Sequence, residues 1–301
     1  MPALYTHYSF GQDVLSNLNK NIQKEINENI NYYNMFNQGF DNLFYHHRKW
    51  KYYRTFGIKA HTTKIDLFFK TTINYILEHD LNNDSNITNM VYGFINHYTL
   101  DTLMHPFINY QVTNLNIPHT KIEFILDGYF YKKNNKQKWR NNIYNTLIPR
   151  LKFNKALSLL IEYVFYDIHN EKNIGHIFER SHNNGYYIYR YFINDNLGIK
   201  TFIYKIIDFF IPKKDIEFSK NTFKLKEFNE EILNKQKRKW LHPKNKEEKY
   251  NYSLEEIYNI SLKICIKLNT LAYKVLHEKE DVNKLIDKIK LISLENISLL
   301  L

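Results

Sequence analysis

Apolar residues recur three or four positions apart through most of the chain, which is the spacing of one face of an α-helix. This periodicity predicts helices over 13–36, 62–80 and about 84–105, the last of which begins at an acidic or hydroxyl N-cap side chain. Pro106 is expected to bend or end the third of these helices, because proline lacks the amide hydrogen that a helix interior requires.

The rest of the chain keeps the helical period with one interruption. A helix is predicted over 118–130, where a proline occupies the favourable first position. Ser253 followed by Glu256 forms a capping-box pattern at the start of a long helix over 253–278. The polar, lysine-rich segment at about 213–250 is expected to form a surface excursion. Further helices are predicted over 139–170, 173–192, 197–211 and 280–301.

Composition supports the same fold class. Glycine (8) and proline (6) are scarce for 301 residues, which argues against an all-β sandwich and against glycine-rich nucleotide-binding loops. No repeat, heptad pattern or linker divides the chain, so we predict a single all-α domain over 1–301. Asparagine is abundant together with lysine, isoleucine and tyrosine, as in AT-rich coding sequences, and we therefore do not count it as a turn signal.

The single cysteine, Cys265, lies in the apolar run SLKICIKL and is interpreted as a buried structural thiol. One cysteine excludes an intramolecular disulfide framework and a cysteine-rich zinc site. The N-terminal stretch MPALYTHYSFGQDV lacks the features of a signal peptide, and no window of about 18 apolar residues predicts a membrane span. We therefore expect a cytoplasmic protein.

The net charge of +11 is unevenly distributed along the chain. Residues 131–155 contain eight lysines and arginines and no acidic residue. Such a block favours anionic partners, namely phosphates, nucleic acid or an anionic membrane surface. A solvated basic face without a partner explains the block equally well.

Potential metal ligands interrupt the apolar sequence NHYTLDTLMHP. His97, Asp101 and His105 are spaced by four residues, which places all three on one face of a helix. The neighbouring positions are apolar, so this helix is expected to be buried on most sides. Burying Asp101 without a partner would cost several kcal/mol, about 2–7 for a polar group and more for a charge. A cation is the simplest compensation.

The helix that begins near residue 118 repeats this arrangement with His119 and Glu123. One such pair alone is more often a surface hydrogen bond, but two pairs between residues 97 and 123, both in apolar sequence, favour a metal site. Asp127, one turn further, is interpreted as an acceptor for a ligand histidine.

These five side chains exceed the ligands of one tetrahedral ion, so two or more ions are implied. Histidine and carboxylate without cysteine suit Zn²⁺ in a catalytic site, with Mn²⁺ or Fe²⁺ as alternatives. Sites of this kind typically hydrolyse phosphate esters.

Several short motifs follow one another in an order that resembles the bacterial zinc-dependent phospholipase C family. They are THYSFG, GFDNLFYHH, GIKAH, NHYTLDTLMHP and HTKIEFILD, all within residues 1–130, followed more weakly by WLHP and YSLEEIYNIS within 240–261. The family shares its all-helical fold with the S1/P1 zinc nucleases. The resemblance implies the same fold here, with the metal motifs in 1–130 and supporting helices in 131–301.

The resemblance also implies a cluster of two or three zinc ions at the bottom of a cleft. The ligands that it implies are Asp41, His61 and His97 for the first zinc, Asp101 shared between ions, His105, His119 and Glu123 for the second zinc, and His7 for the third. Asp41 is further implied as the catalytic general base that orients the attacking water.

By this resemblance, the expected function is metal-dependent hydrolysis of a phosphodiester in a phospholipid or a small phosphorylated molecule. An S1/P1-like nuclease and a non-catalytic, metal-stabilised protein that binds membrane or nucleic acid are the alternatives, with nucleic acid the less favoured partner. The basic run 131–155 could form the rim of the cleft or contact an anionic membrane transiently. Tyr45 and His46, with Phe44, are candidate substrate contacts, and the oligomeric state is left open.

Overall fold

The computed structural model describes residues 4–134, 143–195, 197–210, 219, 222–223 and 230–301. Helices dominate this part of the chain, which confirms the predicted all-α class. The first seven helices are α1 (Leu4–Asn17), α2 (Lys20–Glu28), α3 (Ile30–Phe36), α4 (Trp50–Thr62), α5 (Ile65–Glu78), α6 (Ser85–Leu115) and α7 (His119–Asn134). A 3-10 helix, Gly39–Tyr45, connects α3 and α4.

The second half of the chain adds shorter helices around the same hydrophobic core. These are α8 (Tyr144–Leu147), α9 (Lys155–His169), α10 (Ile174–Tyr187), α11 (Ile199–Phe210), α12 (Leu254–His277), α13 (Val282–Lys290) and α14 (Ile297–Leu300). A π-helical turn, Ile188–Ile193, follows α10 directly. The antiparallel strands β1 (Trp240–Leu241) and β2 (Lys249–Tyr250) form a small hairpin.

The prediction of one helix over 13–36 is wrong, because asparagines break this stretch twice. The side chain of Asn19 accepts hydrogen bonds from the amides of Asn21 and Ile22 and thereby caps α2. Asn29 has a non-helical backbone and separates α2 from α3. The three shorter helices can change direction at these points while each keeps its apolar face on the core.

α6 is the central helix of the fold and packs against α1, α3, α7 and α12. Tyr92, Phe94, Leu100 and Leu103 are buried around it, as predicted for a helix surrounded by protein. The helix does not end at Pro106 but continues to Leu115. An interior proline costs about 3 kcal/mol. Burial of Phe107 and Ile108, at about 1.5–3 kcal/mol for each side chain, offsets this cost.

Three predicted segments differ from the structure in the second half of the chain. The predicted helix 280–301 consists of α13 and α14, which residues 291–296 separate. The run 139–170 contains α8 and α9 as separate helices, with Pro149 between them, and its first residues lie outside the described part. Much of the predicted excursion 213–250 also lies outside it. The described remainder is not purely a surface segment, because Trp240 of β1 is buried against Phe107 of α6. Within the described ranges, no helix is long and apolar enough to cross a membrane.

Candidate metal centre

α6 contributes three potential metal ligands from one face, as their spacing predicts. His97 Nε2 lies 3.5 Å from Asp101 Oδ2, and His105 Nδ1 lies 3.5 Å from Asp101 Oδ1. The two oxygens of Asp101 therefore face histidines one turn below and one turn above. A carboxylate in this position can belong to two neighbouring metal sites at once.

The first group of potential ligands joins α6 to α1 and to the 3-10 helix. His7, Asp41, His97 and Asp101 each offer a ligand atom within 4.8 Å of the others. His7 Nε2 is 3.1 Å from Asp101 Oδ1, and His97 Nε2 is 3.9 Å from Asp41 Oδ2. His7, Asp41 and His97 are buried, and Asp101 is partly exposed. This group could hold a metal ion.

His61 of α4 lies beside the first group. Its Nε2 is 3.0 Å from His97 Nε2 and 3.1 Å from Asp41 Oδ1. Its ring stacks on Phe44 and meets the edge of Phe40. These contacts fix the ring with Nε2 directed into the cluster, although His61 is not a member of either group, and its role as a ligand stays a prediction.

The second group combines the end of the α6 stripe with the start of α7. Glu123 Oε1 lies 3.0 Å from His119 Nε2 and 3.6 Å from His105 Nε2. The two imidazoles stack with 5.3 Å between ring centroids. Glu123 is buried, whereas both histidines are partly exposed. Since His105 also contacts Asp101, the two groups form one continuous cluster.

In three of the histidines, Nδ1 points away from the cluster and lies beside an oxygen that can only accept a hydrogen bond. Nδ1 of His61 donates to the carbonyl of Gly57 at 2.7 Å, and Nδ1 of His105 donates to the carbonyl of Asp101 at 3.0 Å. Nδ1 of His119 faces Asn109 Oδ1 at 3.0 Å. Each bond places the proton on Nδ1 and leaves the Nε2 lone pair free for a metal. Sequence reasoning missed Gly57 and Asn109, although the four-residue step from 57 to 61 was a visible signal.

The polar atoms of the cluster fit a bound cation better than they fit one another. His61 Nε2 carries only a lone pair in the tautomer that its Gly57 bond requires, yet it lies 3.1 Å from Oδ1 of the Asp41 carboxylate, so two acceptors face each other. Asp41 Oδ2 is buried and has no hydrogen-bond partner among the described residues. Three carboxylates, those of Asp41, Asp101 and Glu123, share this region, and charges in such surroundings are paired or coordinate metals.

The electrostatics of the cluster lead to the same conclusion. Burial opposes a charge on His105, but the Asp101 carboxylate outweighs it and raises the pKa of His105 to about 10. Burial lowers the pKa of His97 to about 4, so this histidine is neutral and able to ligate. Although burial alone would raise it, the pKa of Asp101 is held well below its usual range by His105, His97 and His7. Nearby positive charge, from protons on the histidines or from metal ions, therefore stabilises these carboxylates.

Gly39 makes the position of His97 possible. Its φ of +51° lies in the left-handed region, and a Cβ on this residue would stand 2.0 Å from Cδ2 of His97. Only glycine combines that backbone with such close packing. The 3-10 helix that carries Asp41 therefore rests directly on the His97 ring.

Most of the cluster lines an open cleft of about 950 Å³. Six of the predicted ligands line it, namely Asp41, His61, Asp101, His105, His119 and Glu123, while His7 and His97 lie outside the lining. Phe44, Ile58 and Tyr98 provide apolar wall, and Arg54, Lys244 and Lys290 provide positive charge. Asp66, Glu248 and Glu295 also line the cleft, and Lys290 Nζ lies 3.8 Å from Asp66 Oδ2, so the cleft combines apolar, cationic and anionic surfaces.

Other predicted contacts lie away from this lining. Tyr45 is buried with its hydroxyl 3.0 Å from that of Tyr189, and His46 is buried against Tyr53. Of the basic run 131–155, residues 135–142 are outside the described part, and no described residue of the run lines the cleft. The positive charge at the cleft comes from other segments of the chain.

Asp127 does not accept a hydrogen bond from a ligand histidine, contrary to the prediction. Its Oδ1 accepts from the amide and the hydroxyl of Thr6, both at 2.8 Å. Burial raises the pKa of Asp127 to about 7. Asp127 therefore ties α1 to α7 immediately beside His7 and positions that ligand through the backbone.

Comparison of the chain with protein-family models, curated proteins and solved structures found no match. The resemblance to zinc-dependent phospholipases C therefore stays a prediction based on short motifs. The arrangement of the ligand side chains is an observation that does not depend on it.

Proposed function

We propose that this chain is a metal-dependent phosphoester hydrolase of phospholipase C type. The observation that carries the proposal is the pair of potential ligand groups, connected through Asp101, of which five of the seven residues line an open cleft. A structural metal site is usually closed by its protein ligands, whereas a catalytic site keeps a position open to substrate. Access from the cleft therefore favours catalysis over a structural role.

Zinc is the metal that the donor set favours, because imidazole and carboxylate ligands without thiolate suit catalytic Zn²⁺. His7, Asp41, His97 and Asp101, with His61 beside them, would hold ions on one side of the cluster, and His105, His119 and Glu123 on the other. More than four donors support two or three ions. Bound ions would lower the pKa of a water molecule and neutralise charge on a phosphoryl group.

Asp41 is the residue best placed to accept the proton of the attacking water. It lies in the cleft lining, and its Oδ2 has no hydrogen-bond partner among the described residues. Its other oxygen lies 3.1 Å from His61 Nε2. A carboxylate in this position can act as a general base, a role that typically contributes about 10²–10⁴-fold to the rate.

The walls of the cleft suit a phosphodiester with an apolar part. Arg54 and Lys244 can pair with phosphate oxygens, whereas Lys290 lies within 4 Å of Asp66 and Asp287. Phe44 and Ile58 can pack against a hydrocarbon or aromatic group. This combination favours a phospholipid or a similar small diester.

The test is turnover of a soluble chromogenic diester, bis(p-nitrophenyl) phosphate, by protein reconstituted with zinc. We expect hydrolysis that chelation abolishes and that Asp41→Asn lowers by about 100-fold or more. Glu295→Gln is the matched control, because Glu295 lines the same cleft but belongs to neither ligand group, whereas Asp66 of the same lining is paired with Lys290. Absence of turnover in the zinc-loaded wild type would contradict the proposal and favour a non-catalytic, metal-stabilised protein.

A nuclease is the second candidate. The observation that favours it is the presence of two aromatic side chains, Phe44 and Tyr98, beside the cations of the cleft, since single-stranded nucleic acids bind by stacking and charge. A nuclease would release mononucleotides from single-stranded DNA or RNA and leave phosphatidylcholine intact. The phospholipase interpretation predicts the opposite selectivity.

A further inference from the structure

α11 has an apolar stripe that faces solvent. Ile199, Phe202, Ile203, Ile206, Phe209 and Phe210 recur three or four residues apart and form what we call the α11 stripe. Phe202 is 67 %, Phe210 73 % and Phe209 79 % exposed. Helices of soluble proteins normally turn such a stripe towards the core. This exposure requires an explanation.

The polar face of α11 holds the helix in this orientation. Thr201 is the buried residue of the helix, and its amide and hydroxyl donate to Asp195 Oδ2 at 2.7 and 2.6 Å. Lys200 Nζ donates to the carbonyl of Asn194 at 2.7 Å, and the Tyr204 hydroxyl donates to the carbonyl of Phe192. Four hydrogen bonds thus attach the polar side of the helix to the segment 192–195 that precedes it, while the stripe faces outward.

The segment before α11 extends the exposed surface with aromatic and cationic side chains. Tyr191 and Phe192 are more than half exposed, and Leu197 is 85 % exposed. Arg190 lies over the rings of Tyr186 and Tyr191, at 5.7 and 5.4 Å from their centroids. One arginine, stacked on two tyrosines, therefore lies in the segment that leads into the apolar stripe.

We propose that the α11 stripe binds the surface of a membrane that contains anionic phospholipids. Its phenylalanines and isoleucines would enter the boundary between headgroups and acyl chains, as in interfacial amphipathic helices. Tyrosine and arginine at the border match the headgroup level, where amphipathic rings and cations are favoured. This surface is separate from the cleft and from both ligand groups, so the proposal goes beyond hydrolysis.

Charge favours anionic lipid over a second copy of the chain as the occupant. A symmetric dimer through the stripe would bring Arg190 and the exposed Lys205 of two chains together, each chain with a net charge of +11. Anionic headgroups would instead neutralise these cations, at about 1 kcal/mol for each lysine or arginine near the surface.

The experiment is co-sedimentation of the full, chelator-treated chain with vesicles of phosphatidylcholine alone or mixed with phosphatidylserine. We expect binding to the mixed vesicles that weakens as salt is added. Phe209→Ser/Phe210→Ser should lower the partition coefficient by about tenfold or more, since two large apolar side chains are lost. Leu159→Ser/Tyr166→Ser is the matched control on α9, where both side chains are 49 % exposed, and it should bind as wild type does.

A second measurement tests directly whether the α11 stripe enters the lipid layer. Tryptophan fluorescence of Phe209→Trp should be quenched by brominated lipids, whereas that of Leu159→Trp should not. Failure of the wild type to bind mixed vesicles, or equal binding by Phe209→Ser/Phe210→Ser, would overturn the proposal. The proposal would also be overturned if the wild type is a dimer in ultracentrifugation, the double variant is a monomer, and neither binds vesicles. Because metal-free protein is used, and turnover of the soluble diester should be unchanged in the double variant, the outcome is independent of the proposed activity.

Discussion

Gly39→Ala should damage the metal centre without touching any ligand. The new Cβ would stand 2.0 Å from Cδ2 and 2.5 Å from Nε2 of His97, so the ring must shift by about 1.4 Å to restore a 3.4 Å contact. Zinc–nitrogen bonds tolerate only about 0.2 Å around 2.0–2.1 Å. His97 would therefore leave ligand distance, or the 3-10 helix that carries Asp41 would have to move.

We expect zinc affinity to fall by about 100-fold, the upper end of the effect for residues that position ligands, which corresponds to about 2.7 kcal/mol. Competition with a chromophoric zinc chelator measures it. Thermal unfolding in the presence of chelator separately reports the loss of stability, to which the left-handed backbone of an alanine contributes about 1–2 kcal/mol.

Gly198→Ala is the matched control, because Gly198 also has a positive φ, +78°, but nothing lies within 4 Å of a Cβ there. It should show the backbone cost alone and bind zinc as wild type does. The reasoning is refuted if Gly39→Ala binds zinc with wild-type affinity, or if Gly198→Ala weakens binding to the same extent.

Three further predictions concern stability and reactivity. Burial raises the pKa of Asp127 from 3.8 to about 7, so the folded chelator-treated protein loses stability as the pH rises between these values. In urea unfolding, Asp127→Asn should be more stable than wild type by up to about 4 kcal/mol above pH 7 and equally stable near pH 4. A difference that does not depend on pH would contradict this. Asn19→Ala removes the cap of α2 and should cost about 1 kcal/mol in the same assay, whereas exposed Asn27→Ala on that helix should not. Burial raises the pKa of the Cys265 thiol, so thiol reagents should label it only after denaturation, and labelling of the native protein would refute its structural role.

The fold class followed from periodicity, but the helix ends did not. Asn19 and Asn29 interrupt the predicted helix 13–36, and Asn154 caps α9 through its side chain. These asparagines marked the helix ends, but asparagine is so abundant in this chain that it was not counted as a turn signal. The continuation of α6 past Pro106 depends on tertiary burial of the following residues, which local propensity does not contain.

Spacing alone predicted the two local parts of the site, because residues four apart on a helix share a face. His97, Asp101 and His105 come together in this way, as do His119 and Glu123. The two parts meet because α6 packs against α7, and the spacing of residues along the chain does not determine this packing.

The remaining ligands lie on three other elements. His7, Asp41 and His61 were named by family resemblance, not by spacing, because their proximity to α6 depends on contacts across 36 to 94 positions of sequence. The cleft cations Arg54 and Lys244 were missed for the same reason. Arg54 reaches the site on α4, and Lys244 reaches it on the loop between β1 and β2.

The most direct test of the account is anomalous scattering at the zinc edge from crystals of zinc-reconstituted protein. At least two peaks are expected, one within about 2.0–2.2 Å of His97 Nε2 and Asp101, and one at the same distance from His119 and Glu123. Crystals of Asp101→Asn should lose or weaken the peak beside His97. Zinc-soaked wild-type crystals without a peak at either ligand group would contradict the assignment of this cluster as a metal centre.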